Sequence, residues 1–437
     1  MKKDKSTKGK ACVDEKLLQY IWKTQVFASK QYVSTKGEHV TVLSAGEENK
    51  DSGPDFFNAK IQIGDTTWVG CVELHIKASD WVCHGHHADK AYDNVILHVV
   101  YDSDEEIFNS KGQTISTIEW KGIIDEQVGG KYKKFMQHAE EIVCAHSMKQ
   151  VEPLQLYSWM DMLLIERLER RVSDIETQLS QCASHKEEVF YHTIAKSFGF
   201  KINALPMLLV AKSLPLNILA KQKNNLLQLE ALFYGQAGML EDKYQDAYPQ
   251  ELQKEYAFLQ KKFNLTPVCN HSMWKYAKMY PSGFPTIRLS QLAALIHQSS
   301  SLLSKVLKAE NVADLEHMFS VSASLYWNTH YKFDISSSDS GEKHLGRQSV
   351  HSIVINTILP FVYAYAVWNE DVNLKNKVVH FYECMPFENN TVVRKYQHLN
   401  VRLFNALHSQ AMLELYEYYC KKKGCKKCAI GIYLLKF

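Results

Sequence analysis

Several features are missing from this 437-residue chain, and each absence excludes a class. No apolar run reaches the ~18 residues needed to cross a bilayer. The lysine-rich start, MKKDKSTKGK, is not followed by the apolar core of a signal peptide. The expectation is a cytoplasmic protein with no membrane association. Bulk charge is also nearly absent, since 51 Lys and Arg against 48 Asp and Glu leave a net +3. Binding of nucleic acid must therefore come from local patches rather than from an overall field. The ten cysteines are scattered, which excludes a small disulfide-stapled secreted scaffold and suits a reducing compartment. No fixed-period repeat is visible, so a solenoid has no support. Strand signals nearly vanish after about residue 140.

What the chain does contain is 46% apolar residues in a length sufficient for two or three domains. The pattern divides it into residues 1–11, a basic tail read as disordered; residues 12–145, an α/β domain; and residues 146–437, a larger all-α domain ending in a cysteine cluster. The helical reading rests on apolar residues recurring at three and four, as in the run from Leu154 to Arg171. Further runs are Glu187 to Phe198, Ala204 to Ala211, Leu226 to Ala237, Pro249 to Phe263, Ile287 to Gln298, Val312 to Met318, Ser349 to Val367, Asn373 to Tyr382 and Asn400 to Tyr419.

The densest chemistry lies between Gly53 and Tyr101, which holds five of the nineteen histidines. In Val72-Glu73-Leu74-His75-Ile76-Lys77 a strand puts Val72, Leu74 and Ile76 on one face. Glu73, His75 and Lys77 fall on the other, roughly 7 Å from one to the next. Upstream, Lys60 to Ile63 alternates as well, and Gly64-Asp65 before Thr66-Thr67 is turn chemistry, so the two runs predict a hairpin. That hairpin brings Asp55 toward the polar face of the second strand. Asn94 to Tyr101 reads as a strand buried on both sides.

This arrangement resembles the PD-(D/E)XK nuclease superfamily. The resemblance implies a restriction-endonuclease-like mixed sheet with flanking helices, in which an acid opening one strand and an acid two residues before a lysine on the next hold magnesium. Pro54-Asp55 matches the first element and Glu73 the second. The residue two beyond Glu73 is His75, however, and the lysine comes at Lys77. The register Glu73-x-His75, with Lys77 assisting, is preferred because magnesium takes hard oxygen ligands. Glu15, opening the run Glu15 to Phe27, is the candidate for an acid that the superfamily often carries on its first helix.

On this reading Asp55 and Glu73 hold Mg²⁺ or Mn²⁺, His75 or Lys77 orients water or steadies the phosphate, and the partner is nucleic acid. Phrases spread along the chain, among them GPDFFNAKI, VELHIKASDW and HGHHADKAYDNVILHVV, also resemble a bacterial family of domains of unknown function. That resemblance implies an architecture without an assigned activity.

From Asp80 to Tyr92 the sequence adds His84, His86, His87 and Asp89. Imidazoles suit zinc better than magnesium. The spacing matches no standard zinc motif, and a helical reading sets His86, Asp89 and Lys90 beside the strands, where these residues, with Tyr92, support the first ligands or touch phosphate. Three readings stay open: a metal-dependent nuclease, a non-catalytic binding protein on a nuclease-like core, and a zinc hydrolase using the histidines. Each polar residue also has a plain alternative as an ordinary solvated position on a half-exposed strand.

The charged run Glu166 to Arg171 reads as a phosphate-contacting stripe or, in preference, an ion-paired solvated face, and Arg288, after the helix start at Pro285-Thr286, as a residue facing the domain interface or substrate or as one of a surface ion pair. Cys420, Cys425 and Cys428 form a C-x4-C-x2-C run among five lysines, a spacing that suits zinc or an iron–sulfur cluster if a fourth ligand such as Cys384 or His408 joins.

Overall fold

In the computed structural model the alternating run around Glu73 becomes part of the longest strand of a seven-stranded mixed sheet. The structure describes residues 14–25, 31–49, 52–123, 141–182, 185–277, 279–299, 301–338 and 340–436. The basic tail of residues 1–11 lies outside them.

The chain divides into two units. Unit 1 comprises Met1–Trp159, Leu399–Val401 and Leu415–Phe437. Its elements are α1 (Glu15–Thr24), β1 (Gln31–Val33), β2 (His39–Ser44), β3 (Glu47–Glu48), β4 (Phe56–Ile63), β5 (Thr66–Lys77), α2 (Asp80–Cys83), β6 (Val95–Asp102) and β7 (Thr117–Glu119). The strands run in the order β1-β2-β4-β5-β6-β7, with β3 pairing β4. The pairs from β1 to β5 are antiparallel, while β5–β6 and β6–β7 are parallel.

The expected hairpin is present: Ile63 pairs with Thr66 across Gly64-Asp65, and Gly64 takes the left-handed φ of 58° that such a two-residue turn requires. β4 opens with a bulge between Phe56 and Ala59. Bulges re-aim the chain locally. Gly70 lets β5 approach the start of β6, since a Cβ there would stand 2.5 Å from Ile96 Cγ2 and 2.8 Å from the Asn94 carbonyl oxygen.

One face of the sheet packs on α1. Asp14 caps this helix by accepting from the Leu17 amide, and the i, i+3, i+4 spacing of Leu17, Leu18, Ile21 and Trp22 buries one stripe. That stripe joins Val72, Leu74, Leu97, Val99 and Ile118 in the larger core, where Ile432 of the C-terminal helix Ala429–Lys436 also packs. The opposite face holds a smaller core of Cys71, Ala78, Trp81, Val95, Val100, Ile107 and Ile115. β6 is thus buried on both sides, as its continuous apolar run predicts.

Unit 2 comprises Met160–His398 and Arg402–Glu414 and is mainly helical, with one short hairpin, His330–Lys332 with Ile335–Ser336. Most helical runs read from the sequence appear within a few residues of their expected ends, but the run from Leu154 extends ten residues past Arg171 as the helix Pro153–Gln181. The run expected from Asn400 begins its helix at Ala406. Residues 399–401 and 415–437 group with unit 1, so the boundary expected at residue 145 separates only part of the chain.

One helix of unit 2, Arg347–Trp368, is long and apolar enough to cross a membrane, although 72% of its apolar window is buried inside the structure. No uninterrupted apolar stretch signalled it. Pro360 lies just beyond a π-helical segment, Val354–Ile358. Proline lacks an N–H and its ring crowds the carbonyl one turn earlier, so a widened turn here accommodates it. Arg288 is buried rather than in a surface ion pair, with the Gln291 side-chain oxygen 3.0 Å and the Ser349 hydroxyl 3.2 Å from its guanidinium and its charge over the Phe200 ring.

Candidate metal centre

Two carboxyls and four imidazoles meet on the smaller-core side of β5. Strand alternation places Glu73 and His75 on that side, and parallel pairing puts His98 of β6 opposite Glu73. All three are buried. After β5, Ser79 receives Asp104 on both its amide and its hydroxyl, which fixes the start of α2. Trp81, fully buried, anchors that short helix by donating to the Phe108 carbonyl. The chain then reverses at Gly85, whose φ of 77° is costly for any side chain bearing a Cβ. His84 and His86, on either side of this turn, face His75.

The donor atoms are close together. His75 Nε2 lies 3.1 Å from His84 Nδ1 and 3.6 Å from Glu73 Oε1, and His86 Nε2 lies 3.4 Å from the same oxygen. One ligand atom from each of His75, His84 and His86 lies within 4.8 Å of the others. A tetrahedral ion with bonds of 2.0–2.1 Å requires donors about 3.3 Å apart, so the three histidines are the set close enough to share a transition-metal ion, with Glu73 Oε1 beside His75 and His86.

Asp55 is set differently. Its two oxygens accept from Gln19 Nε2 at 2.7 Å and from the Leu74 amide at 3.0 Å, while its own amide donates to Glu73 Oε2 at 2.9 Å. Asp55 therefore ties α1, β4 and β5 together and holds one oxygen of Glu73, leaving the other turned toward the imidazoles.

Burial raises the Glu73 carboxyl to about 8, helped by the charge of Asp55. Asp55 rises to about 6, mainly from burial, against the opposing pull of its Leu74 and Gln19 bonds. His75 falls to about 3 from burial and from the neighbouring His86 and His84. Burial also lowers His98 and His86. Among the described residues, no lysine or arginine forms an ion pair with either carboxyl. The cluster thus gathers two acids and imidazoles, of which His75, His86 and His98 are held down by burial, around a point with no lysine or arginine partner, which is the electrostatic condition a cation relieves.

The expected residues separate into three groups. Glu73, His75, His84 and His86 converge, with Asp55 beside them. Glu15, in the first turn of α1, acts on Asp55, Glu73 and His84 through its charge, so it stands close to the site. Tyr92 stacks on His86 at 3.8 Å, and burial followed by the charge of Glu73 pushes its phenol up to about 12.

Asp80, Asp89 and His87 have local roles: Asp80 accepts from the Lys77 amide, Asp89 caps the short turn at Ala91, and His87 reaches the site only through its charge on His86. Lys77 departs from the expectation. At the frayed end of β5 its ammonium sits 3.6 Å from Asp104, and its side chain is 54% exposed. The strand's polar face turns outward there, three residues before α2 begins at Asp80.

Three contributors were not predicted. His98 Nε2 meets His75 Nδ1 at 2.8 Å, Gln19 holds Asp55, and Trp81 presses edge-on against His86 and His98. The signal for His98 was available as a lone imidazole inside an otherwise apolar strand. Gln19 and Trp81 carried no comparable mark.

Fold and site together define a two-unit protein whose mixed-sheet unit carries a partly buried carboxylate–imidazole cluster, three of whose imidazoles are close enough to share an ion. The chain belongs to the family described as Protein of unknown function (DUF2851), which matches residues 15–391. No curated protein matches the chain. No solved structure does either.

Proposed function

We propose that the protein is a divalent-metal-dependent hydrolase acting on the phosphodiester bonds of nucleic acid, with manganese or zinc as its ion. The observation that carries this reading is the trio His75, His84 and His86, with one ligand atom from each within 4.8 Å of the others, and Glu73 Oε1 lying 3.6 Å from His75 and 3.4 Å from His86. Imidazoles in this number favour a transition metal over magnesium.

The phosphodiester assignment is supported by the antiparallel β4–β5 hairpin joined in parallel to β6, with Asp55 opening β4, Glu73-x-His75 on β5 and Glu15 on the preceding helix. This is the order of parts in the PD-(D/E)XK nucleases, and a restriction-endonuclease-like core belongs to the same proposal. A cleft of about 950 Å³ within unit 2 is lined by Arg167 and Arg171, paired with Glu414 and Asp174, and by Lys196 and Lys201, which offer a local cationic surface of the kind nucleic acid requires.

A bound ion would supply Lewis acidity and lower the pKa of a water. The side chains have their own tasks. The hydrogen bond between His75 Nδ1 and His98 Nε2 holds the His75 ring so that its Nε2 faces the donor group. Asp55 holds Glu73 in place. Tyr92 stays protonated at neutral pH and can donate to a phosphate oxygen.

The test is cleavage of duplex DNA, single-stranded DNA and RNA with Mn²⁺, Zn²⁺ or Mg²⁺, comparing wild type with His86→Ala and Glu73→Gln. Metal-dependent cleavage by wild type, reduced at least ~100-fold in both variants, is expected from loss of positioned metal chemistry. Equal cleavage by all three proteins, or none by metal-loaded wild type, refutes the proposal; in the second case tight metal binding would favour the non-catalytic binding role.

A further inference from the structure

The cysteine cluster gains its fourth member from a distant part of the chain. Cys144, Cys420, Cys425 and Cys428 line one cavity in unit 1, about 10 Å³ in volume, with Val143, Leu415 and Ile430 in its walls. Neither of the fourth ligands expected from the sequence, Cys384 or His408, lines it. Cys384 instead lies beside His380, and His408 accepts from the Phe404 amide.

All four are thiols, and each is at least nine-tenths buried. Cys420, Cys428 and Cys425 all act on Cys144 through their charge, which places the four within one electrostatic neighbourhood. Cys425 opens the single turn Cys425–Lys427 and Cys428 ends it, the C-x2-C spacing of a zinc knuckle. Gly431 packs so tightly on this turn that a Cβ would lie 2.3 Å from the Cys425 carbonyl oxygen.

We infer that these four cysteines hold a single zinc ion that fastens the C-terminal segment to the sheet unit. Volume decides the size of the occupant. About 10 Å³ is room for roughly one water-sized sphere, so one ion fits and a multi-atom cluster does not. Donor type decides its identity. Four sulfurs, with no carboxylate or imidazole among the described residues of the wall, suit a tetrahedral thiophilic ion, and four cysteines make a closed structural zinc set with no position left for water.

Binding changes the thiols. Burial drives Cys425 and Cys428 up to about 11 and about 12, so without an ion they keep their protons. Zinc takes them as thiolates, and the thiol protons leave to solvent as it enters. The charge of Lys423, which acts on Cys425, favours the anionic centre that results. Sulfurs on zinc stand about 3.8 Å apart at bonds of 2.3 Å. Among the described residues the ligand group already within 4.8 Å is the histidine trio, so the thiols draw together onto the ion by about 1 Å or more, a shift that χ1 rotation covers.

The experiment is purification of the full chain under reducing conditions without chelator, followed by zinc, iron and acid-labile sulfide analysis. Because the histidine trio also suits zinc, the thiol site is read by difference and by spectrum. Wild type and Cys182→Ser, a control from unit 2, should each carry about one zinc per chain more than the double variant Cys144→Ser/Cys428→Ser, with no sulfide. Wild type loaded with Co²⁺ in place of zinc should show sulfur-to-metal charge-transfer absorption, which imidazole and carboxylate ligands do not produce and which the double variant should lose.

A further measurement does not depend on that variant folding. Alkylation mapped on native wild type should spare these four cysteines while zinc is bound, and should label all four once a chelator has removed it. Iron and sulfide in place of zinc, equal zinc in wild type and the double variant, a Co²⁺ spectrum of wild type without charge transfer, or equal alkylation before and after chelation would each overturn the inference.

Discussion

Replacing Glu73 by glutamine should make the metal-free protein more stable, and the gain should depend on pH. Glu73 is 6% exposed, and its carboxyl is raised from an ordinary 4.5 to about 8. A carboxyl raised in the folded state contributes stability below its unfolded pKa and loses it as pH climbs through the folded value. The resulting penalty is about 1 kcal/mol at pH 5 and roughly 4 kcal/mol at pH 8. Glutamine keeps the shape and can still accept from the Asp55 amide, so most of that penalty should be relieved.

Urea unfolding in the presence of chelator should therefore find Glu73→Gln more stable by roughly 2 to 4 kcal/mol at pH 8, and within about 1 kcal/mol of wild type at pH 5. Adding Mn²⁺ or Zn²⁺ at a hundred times its dissociation constant should then raise wild type by about 2.7 kcal/mol at pH 8 and the variant by far less. A stability difference that is the same at both pH values would refute the electrostatic reasoning. Equal metal stabilisation of the two proteins would refute the role of Glu73 as a ligand.

The remaining predictions follow from the same contacts. Lys77→Ala should keep cleavage within about twofold and cost no more than ~1 kcal/mol, because its ion pair with Asp104 is exposed; a large loss of activity measured beside Glu73→Gln would restore Lys77 to the site. Trp81→Ala should destabilise unit 1 by roughly 3 to 5 kcal/mol in urea unfolding and weaken metal affinity measured by titration, since Trp81 fills the smaller core and braces His86. In unit 2, Glu414 is fully buried against Arg167 and Arg170, so Glu414→Ala should cost about 3 to 5 kcal/mol by leaving arginine charge unpaired. A cost below about 1 kcal/mol in the same unfolding assay would show that water reaches those arginines.

Local pattern carried much of this structure. The alternation at Val72 to Lys77, the Gly64-Asp65 turn and the apolar run before Tyr101 were legible because a period of two and a tight turn are properties of neighbouring residues. The helices of unit 2 were legible for the same reason. What local pattern could not convey was which chemistry each position would meet after folding. Lys77 and Glu73 share a strand face in the sequence, yet three residues before a helix start that face opens to water, and so the lysine leaves while the acid stays. His98 and Gln19 reach the cluster only through strand pairing and the packing of α1. Cys144 is separated from its three sulfur neighbours by nearly the whole helical unit, and no spacing rule joins residues that far apart.

The discontinuity of unit 1 gives its assembly a timetable. On a ribosome, its sheet strands and Cys144 emerge first, but Leu415–Phe437, which supplies Ile432 and the other three sulfurs, emerges only after everything from Met160 to Glu414 has been made. At ordinary rates of synthesis that interval is on the order of 10 to 50 s. For that time the nascent sheet has an apolar seat with no helix in it and a lone thiol with no neighbours, which makes it a natural client for a chaperone.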